Sequence, residues 1–305
     1  MTESQSIRLV LGFSPGSASD EIARAIVPEL SRLLGTTIVI ELLPGSNGAH
    51  AAKSVAAARP DGRTLFMATL GTHALAPHLG ALPYDPVHDF APVSLVATAP
   101  LVLACQPRLG VSSAGGLIEL VRERPRTLAY GTSALGGAPH LAAGLFEQMA
   151  GIEMLHVRYD QTPRLYDDLE AGRLALTFNN MMSILPRCRT GRLQALAVTS
   201  AARSHAAHEV PTMAESALPG YEVSNWQGIV APRETPRTVR GELSTAIASA
   251  LANDAVVAAF ADAGVTACGT TPEAFEAFVV QEKTRWGPVV RRLHGVSRVA
   301  SREAS

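Results

Sequence analysis

The stretch IRLVLGFSPGSASD, residues 7–20, decides the fold. Residues 7–13 are apolar and include β-branched side chains, which predicts a strand. Ser19 stands where an N-cap is expected, with Asp20 in the first helical turn, where the helix dipole favours negative charge. Apolar residues at helical spacing follow as far as Gly35, which ends the helix. The stretch therefore predicts a strand, a loop of small residues and a helix.

The same alternation continues along the chain. Strands are predicted at residues 36–42 and 63–69, with a turn at 44–48 and a helix before the third strand. This β-α-β-α-β order implies a parallel sheet with helices on both faces. An irregular segment at 71–92 and an apolar stretch at 93–105 precede a second series. The predicted helices of the second half lie at 113–124, 139–150, 163–171, 183–190, 236–251, 254–263 and 272–293, and the strands at 127–132, 154–157, 174–178, 193–199 and 221–231.

The composition limits the classes of function. A chain of 305 residues suggests about two domains. The net charge of −1 provides no field that would draw the chain to nucleic acid or to an anionic membrane. Lys53 and Lys283 are the only lysines in the sequence. Almost any cationic contact to a ligand must therefore come from arginine or from backbone N–H groups.

Several motifs of chemistry are missing from the sequence. No apolar run approaches the ~18 residues that span a bilayer, and residues 1–6 have neither the basic nor the apolar part of an export signal. The three cysteines are far apart and form no zinc or redox motif. His205 and His208 with Glu209 have partial metal-ligand spacing, which we interpret as a solvated loop. We expect neither a metal nor a cofactor.

Two strand-to-helix loops are candidates for ligand binding. In open α/β sheets, ligands lie beyond the carboxyl ends of the strands. The loop at residues 13–19 and the loop at 131–137 both consist of small and hydroxyl residues before a helix, whose N-terminus favours an anion. Each is also compatible with an ordinary turn. His73 and His140 lie near these loops and are candidates for polar contacts or capping.

The first loop also matches the nucleophile-elbow pattern G-x-S-x-G at residues 12–16. The residue after the nucleophile has to donate its N–H to an oxyanion, and here it is Pro15, which has none. The elbow further needs a donor from an earlier strand loop, and only twelve residues precede Phe13. Both points argue against a hydrolase with Ser14 as nucleophile.

Taken together, the segments resemble the Bug (TctC-like) family, the extracytoplasmic solute-binding receptors of tripartite tricarboxylate transporters. The resemblance covers residues 7–295. It rests on the order and spacing of IRLV (7–10), FSPG (13–16), PDG (60–62), LPYDP (82–86), DFAPV (89–93), HLA (140–142), GRL (191–193), ALAVT (195–199), VPT (210–212) and LPGYE (218–222), followed by Trp226, Gly228, and the dipeptides AP at 231–232 and TP at 235–236.

The resemblance implies an α/β fold of two lobes, the type II-like Venus flytrap of periplasmic binding proteins, in which each lobe is a sheet sandwiched by helices. Lobe I is expected at residues 1–103 plus 223–305 and lobe II at 104–222, with a small carboxylate clamped in the cleft between them. The residues that the resemblance assigns to the ligand are Phe13, Ser14, Gly16, Ser17, Ala18, Ser19, Gly71, Thr72, His73, Thr132, Ser133, Gly136, Gly137, Ala138, Tyr159 and Asn179.

The chain departs from the family pattern at four places, one of which is the second turn at residues 44–50, usually richer in glycine. Ser17 replaces the second glycine of the first loop, and Asp160 stands where a basic residue is common. Asn179 takes the place of an Asp that often precedes an asparagine, here Asn180. A neutral amide both donates and accepts hydrogen bonds, so this change disfavours an amino-acid ligand whose ammonium would meet a carboxylate.

The resemblance implies a non-catalytic, monomeric receptor that closes on a mono-, di- or tricarboxylate and then engages membrane subunits of a transporter. Two alternatives stay open at this point: a ligand sensor for a signalling partner, and an enzyme on the same scaffold. We expect a periplasmic location, with the sequence interpreted as a mature or trimmed chain and a cytoplasmic location as the alternative. No nucleic-acid partner is expected.

Overall fold

The computed structural model describes residues 6–133, 136–159 and 161–303, and the side chains of those residues up to 291. The chain divides into two compact units. Unit 1 contains the residues up to Thr98, then Trp226–Phe260 and the residues from Thr266 onward. Unit 2 contains Ala99–Asn225 and Ala261–Val265. The resemblance placed the corresponding divisions at residues 103/104 and 222/223.

Unit 1 is built from strands and helices that come from both ends of the chain. Its strands are β1 (Ile7–Leu11), β2 (Ile38–Leu42), β3 (Thr64–Thr69), the first part of β4 (Phe90–Cys105), most of β9 (Ser224–Pro232) and β10 (Thr266–Ala267). Its helices are α1 (Ala18–Leu34), α2 (Ala49–Ala56), α8 (Arg237–Leu251), most of α9 (Asp254–Asp262) and α10 (Pro272–Glu303).

The sheet of unit 1 is mixed. β1 pairs in parallel with β2 and with β3, as the alternating pattern predicts. β9 then pairs antiparallel with β3, with Met67 opposite Ile229, and β10 pairs antiparallel with β4. On one face, α1 buries Ile22, Ile26 and Leu30 and packs against α8.

Unit 2 has its own sheet and helices. Its strands are the second part of β4 together with β5 (Ala129–Thr132), β6 (Leu155–Arg158), β7 (Leu176–Asn180) and β8 (Gln194–Val198). Its helices are α3 (Ala114–Glu123), α4 (Ala138–Ala150), α5 (Thr162–Glu170), α6 (Met181–Arg189) and α7 (Met213–Ser216). β5 lies between β6 and β7, parallel to both, and β4 pairs antiparallel with β7 and β8.

Local propensity accounts for most of these elements, and the exceptions have physical reasons. The N-cap of α1 is Ser17, whose hydroxyl accepts the N–H of Asp20, so Ser19 is inside the helix and not its cap. The segment 71–92 is less irregular than predicted, because it begins with a π-helical turn at Leu70–Leu75. The apolar stretch at 93–105 belongs to the continuous strand β4.

The core of unit 2 gathers apolar side chains from strands and helices that are far apart in the sequence. Val102, Leu165, Leu169, Met181 and Ile184 are all fully buried in it. They come from β4, α5 and α6, so the burial of apolar area holds these elements together.

Within the described residues, no single helix is long and apolar enough to cross a membrane. The helices α8 and α9, which are bent by 69° relative to each other, are together long and apolar enough by length and composition alone. Among the same residues, no three His, Cys, Asp or Glu side chains are grouped as metal ligands would be.

Candidate functional site

The loop after β1 is held by hydrogen bonds to the first turn of α1. The Gly16 N–H donates to Asp20 Oδ2 (2.9 Å), and the Ser17 N–H donates to the Ser14 carbonyl (3.2 Å). Asp20 is buried and its Oδ1 also accepts from Arg24 Nε (2.8 Å). The first N–H groups of a helix have no intrahelical partner. Those of Ala18 and Ser19 lie in this first turn, whereas that of Gly16 donates to Asp20.

The loops that follow β1, β2 and β3 in unit 1 pack closely against one another. A Cβ on Gly12 would lie 2.6 Å from the Gly48 Cα, so only glycine lets the loops after β1 and β2 meet. Gly48 has a φ of +86°, and a Cβ there would lie 2.8 Å from Thr72 Cγ2 and 3.5 Å from Phe13 Cζ. Phe13 and Thr72, which are far apart in sequence, are thereby brought together at the carboxyl ends of β1 and β3.

The loop after β3 is fixed by a capping box. The Thr69 hydroxyl accepts the Thr72 N–H (3.2 Å), and the Thr72 hydroxyl accepts the Thr69 N–H (3.0 Å). The Tyr84 hydroxyl donates to the Thr72 carbonyl (2.7 Å). Gly71 and Thr72 are buried. The hydroxyls of Thr69, Thr72 and Tyr84 therefore fix this turn with hydrogen bonds from within unit 1.

His73 lies in an aromatic cluster. Its ring centroid is 5.1 Å from that of Phe90, 5.9 Å from Phe66 and 6.4 Å from Tyr84, and its side chain is 1% exposed. Burial lowers the pKa of His73 to about 3, so the imidazole is neutral at physiological pH. Nδ1 contacts the Thr72 hydroxyl at 3.0 Å. In this structure the ring supports the turn from inside unit 1.

In unit 2, the carboxyl ends of three neighbouring strands meet at one edge of the sheet. Gly131 of β5 is paired with Val157 of β6 and with Thr177 of β7. Two residues further along each strand, this register aligns Ser133, Tyr159 and Asn179. The structure thus brings together residues that the sequence separates by about twenty positions each.

The helix that follows β5 begins without a side-chain cap. Gly137 is the N-cap of α4 and makes no side-chain cap hydrogen bond, and the next residues are Ala138 and Pro139. The first intrahelical bond is donated by the Leu141 N–H to the Gly137 carbonyl (3.0 Å). The N–H of Ala138 precedes that bond, and among the described residues no side chain caps this positive end of the helix dipole. Ser133 accepts a hydrogen bond from the Thr162 hydroxyl at 3.1 Å.

Asn179 presents an unsatisfied donor. Its side chain is 2% exposed, and its Oδ1 accepts the Asn180 N–H (2.8 Å), which fixes the orientation of the amide because a backbone N–H can only donate. Within the described residues, Asn179 Nδ2 is buried and has no hydrogen-bond partner. A buried donor without a partner costs about 1–3 kcal/mol, and a ligand that accepts from it recovers that cost.

Tyr159 is held by two hydrogen bonds within unit 2. Its N–H donates to the Thr132 carbonyl (2.9 Å), and its hydroxyl donates to Asp168 Oδ2 (2.8 Å). Asp168 in turn accepts from Arg173 Nε (2.7 Å), and both hydrogen bonds lower the pKa of the Asp168 carboxyl. The tyrosine side chain is therefore fixed before any ligand binds. Asp160, next in the sequence, lies outside the described residues.

Two histidines that were not assigned to the ligand lie directly behind the second loop. His156 Nε2 is 2.7 Å from the Thr132 hydroxyl, and His140 Nδ1 accepts the Gly136 N–H at 3.2 Å. Their rings stack with centroids 4.8 Å apart. The contact of His140 agrees with its prediction as a residue for polar contacts or capping near this loop, whereas the contact of His156 depends on strand pairing and was not predicted.

Of the sixteen residues assigned to the ligand, the structure brings together one set in each unit. The set in unit 1 comprises Phe13, Ser14, Gly16, Ser17, Ala18, Ser19, Gly71, Thr72 and His73, and the set in unit 2 comprises Thr132, Ser133, Gly136, Gly137, Ala138, Tyr159 and Asn179. Residues 134 and 135 of the second loop lie outside the described residues. The assignment of these sets to a ligand stays a prediction.

Comparison with known proteins supports a receptor role. The chain is 34% identical to the protein BugT of Bordetella pertussis over 93% of this chain and 88% of BugT. A structure from R. palustris with adipate has a TM-score of 0.91 and 35% identity, and the match covers 97% of this chain and 99% of that chain.

Two further structures are similar over most of their length. MatC from Rhodopseudomonas palustris, with bound malate, has a TM-score of 0.88 and 29% identity over 93% of this chain and 98% of that chain. The periplasmic binding protein BugD has a TM-score of 0.88 and 27% identity over 94% and 97%. The fold is therefore the two-lobe α/β fold of periplasmic solute-binding proteins. Residues 22–294 match the family described as tripartite tricarboxylate transporter family receptor, TctC, and the chain belongs to this family, whose Bug members include BugT and BugD.

Proposed function

We propose that this protein is a non-catalytic, monomeric receptor that binds a small carboxylate outside the cytoplasm and delivers it to the membrane subunits of a tripartite tricarboxylate transport system. The observation that carries the proposal is the carboxyl edge of the sheet in unit 2. There the N-terminus of α4 has no side-chain cap, and Asn179 Nδ2 has no partner within the described residues, so both can donate hydrogen bonds to an anion.

The loops of unit 1 fit the same chemistry. The sequence provides only two lysines, and no lysine lies in either set of assigned residues. The N–H groups of Ala18 and Ser19 at the start of α1 supply donors with the polarity that an anion needs. In the loop after β3 the polar groups of Thr69 and Thr72 are satisfied internally, so their part in the proposal is to shape and support the surface formed by Phe13 and the first turn of α1. Within the described residues, His73 Nε2 is buried without a hydrogen-bond partner.

The ligand class follows from the donors. The helix N-termini and the Asn179 Nδ2 are hydrogen-bond donors, which favours carboxylate oxygens over an ammonium group. The orientation of Asn179 adds to this, because its oxygen is already occupied by the Asn180 N–H. The related structures with adipate and with malate contain dicarboxylates. We therefore propose a dicarboxylate of about four to six carbons as the first ligand to test.

The location and partners in the proposal rest on the family. BugD is a periplasmic binding protein and the family is that of transporter receptors. An extracytoplasmic receptor that engages membrane subunits is the role that these relatives support. The protein is accordingly proposed to act by binding and release, and not by catalysis.

The test is binding of adipate and malate to the purified chain, with Gly137→Asp as the decisive variant. Asp is a favoured N-cap residue, so this substitution stabilises α4 while placing a negative charge where the anion is proposed to bind. We expect ligand to raise the melting temperature of the unmodified protein, and affinity to fall at least ~10-fold in Gly137→Asp with no loss of stability.

Gly137→Asn is the matched control, because it is an equally good N-cap of similar size without the charge. We expect this variant to bind clearly better than Gly137→Asp. Equal affinities for both variants would assign the effect to size alone and count against an anion at this helix. A protein whose melting temperature responds to neither adipate, malate nor any tricarboxylate would refute the proposed ligand class.

A further inference from the structure

We infer that the N-terminus of α6 is a further binding site for a carboxylate in unit 2, and that Asn225 keeps this site open by holding the Asn180 side chain away from the helix. The inference rests on the proposed function, because it takes the ligand to be a carboxylate. None of the sixteen residues that the family resemblance assigns to the ligand lies on α6, and neither Asn180 nor Asn225 is among them.

The helix α6 begins directly at the end of β7, at the carboxyl edge of the sheet in unit 2. Asn180 is its N-cap, and the helix has nine residues, Met181–Arg189. The N–H groups of residues 181–183 have no intrahelical partner and form the positive end of the helix dipole. The Asn180 side chain makes no cap hydrogen bond to them, and the first turn of α6 contains no acidic residue. This N-terminus is therefore able to donate to an anion.

The side chain of Asn180 is engaged elsewhere. Asparagine is a preferred N-cap residue, because its side-chain oxygen normally accepts the N–H of the second or third helical residue. Here Asn225 Nδ2 donates to Asn180 Oδ1 at 2.9 Å, and Asn180 Nδ2 lies 3.5 Å from Asn179 Oδ1. Both ends of the Asn180 amide are thus turned away from the helix. Asn225, at the start of β9 and within unit 2, is the residue that holds the oxygen.

Asn179 gives a second, independent indication of a ligand at this place. Its Oδ1 accepts the Asn180 N–H at 2.8 Å, so its amide lies directly against the residue that precedes the helix. Its Nδ2 is buried and has no partner within the described residues, which makes it another donor at the start of α6. A carboxylate has two oxygens that accept several hydrogen bonds at once, and its charge strengthens each of them. A carboxylate therefore matches this group of donors.

The surroundings of the first turn favour a charged acceptor. Met181 is completely buried and Ser183 is 8% exposed, so much of this turn is shielded from water. Hydrogen bonds to an ionised group gain strength where the local dielectric is low. The side chain of Met182 is only partly buried, which leaves an approach for a small ligand.

The test is a double-mutant cycle of Asn225→Ala and Asn180→Ala, with adipate as the probe and calorimetry as the assay. Asn225→Ala removes the donor that holds the Asn180 oxygen, so the Asn180 side chain is released to cap α6 and to compete with the carboxylate. We expect the Kd for adipate to rise about five-fold, the factor that one helix cap contributes. In the Asn180→Ala background no side chain takes the cap position, so adding Asn225→Ala should leave the Kd of that background unchanged.

A merely structural role of Asn225 predicts a different result, because the loss of its packing would weaken binding whether or not the Asn180 side chain is present. An equal increase of Kd in both backgrounds therefore overturns the inference. So does an Asn225→Ala protein that binds adipate as tightly as the unmodified protein.

A measurement on the unmodified protein locates the site without any substitution. In nuclear magnetic resonance spectra, adipate should shift the backbone amide resonances of Met182 and Ser183, the second and third residues of α6. Binding of adipate with no shift of either amide overturns the inference and leaves the proposed function standing. A protein that binds neither adipate, malate nor any tricarboxylate refutes the proposed function and this inference together.

Discussion

Replacing Gly12 with alanine tests the packing of the loops that carry the proposed site in unit 1. The new Cβ would lie 2.6 Å from the Gly48 Cα, whereas carbon atoms in favourable contact are ~3.5–4.0 Å apart. The two loops must therefore separate by about 1 Å. Gly12 does not adopt a positive φ, so the substitution adds no backbone strain and isolates the steric effect.

Gly48 has little freedom to move away. Its other side is filled by Thr72 Cγ2 and the Phe13 ring, and its φ of +86° ties it to a conformation that other residues rarely adopt. Overpacking of this kind costs ~1–3 kcal/mol. For domains of this size, about 2–4 °C of melting temperature correspond to each kcal/mol, so we expect a fall of about 2–12 °C.

The assay is thermal unfolding followed by circular dichroism, together with calorimetry with adipate. Gly80→Ala is the matched control, since Gly80 is exposed, lacks a positive φ and has no atom within 4 Å of a new Cβ. We expect Gly12→Ala to weaken binding as well, because the Phe13 side of the loop is displaced. A melting temperature of Gly12→Ala within ~1 °C of that of Gly80→Ala would show that the three loops are not packed as described.

Two further predictions concern single buried groups. Asn179→Asp keeps an acceptor for the Asn180 N–H but removes the Nδ2 donor. The affinity for adipate, measured by calorimetry, should therefore fall ~10-fold or more. An unchanged affinity would remove Asn179 from the proposed site. His73 is neutral when folded, with a pKa of about 3, and binds a proton near its ordinary pKa when unfolded, so its contribution to the free energy of unfolding is lost as pH falls from about 6.5 towards about 3. In His73→Phe the slope of the free energy of unfolding against pH, from urea titrations, should decrease by up to ~1.4 kcal/mol per pH unit in that range, and an unchanged slope would contradict the burial of a neutral imidazole.

Sequence reasoning succeeded where the deciding interactions are local. The apolar spacing of α1 and the glycine after it were sufficient to predict this helix and its C-terminal end. Gly35 has the left-handed conformation that such an end requires. The N-cap was assigned two residues too late, because Ser14, Ser17 and Ser19 all lie at or near the start of the helix. Ser17 is the one whose hydroxyl reaches the N–H three residues ahead. That choice depends on the backbone of the loop and not on composition.

Long-range pairing could not be predicted in the same way. The antiparallel contact between β3 and β9 joins residues about 160 positions apart, and nothing in either segment specifies the direction of its partner. The same limit applies to the candidate site. The resemblance placed His73 among the ligand contacts, which stays a prediction, but its position beside Phe66 and Phe90 depends on distant strands, and His156 was missed for the same reason.

The sheet of unit 1 also has a consequence for the order of biosynthesis. β3 is complete at Thr69, but its neighbour β9 begins only at Ser224. A nascent chain therefore exposes one long edge of that sheet while the intervening residues, most of unit 2, are being made. Closing a loop of this length adds to the entropic barrier of folding. A chaperone or export factor that keeps the chain unfolded until β9 has emerged would protect this edge from pairing with other chains.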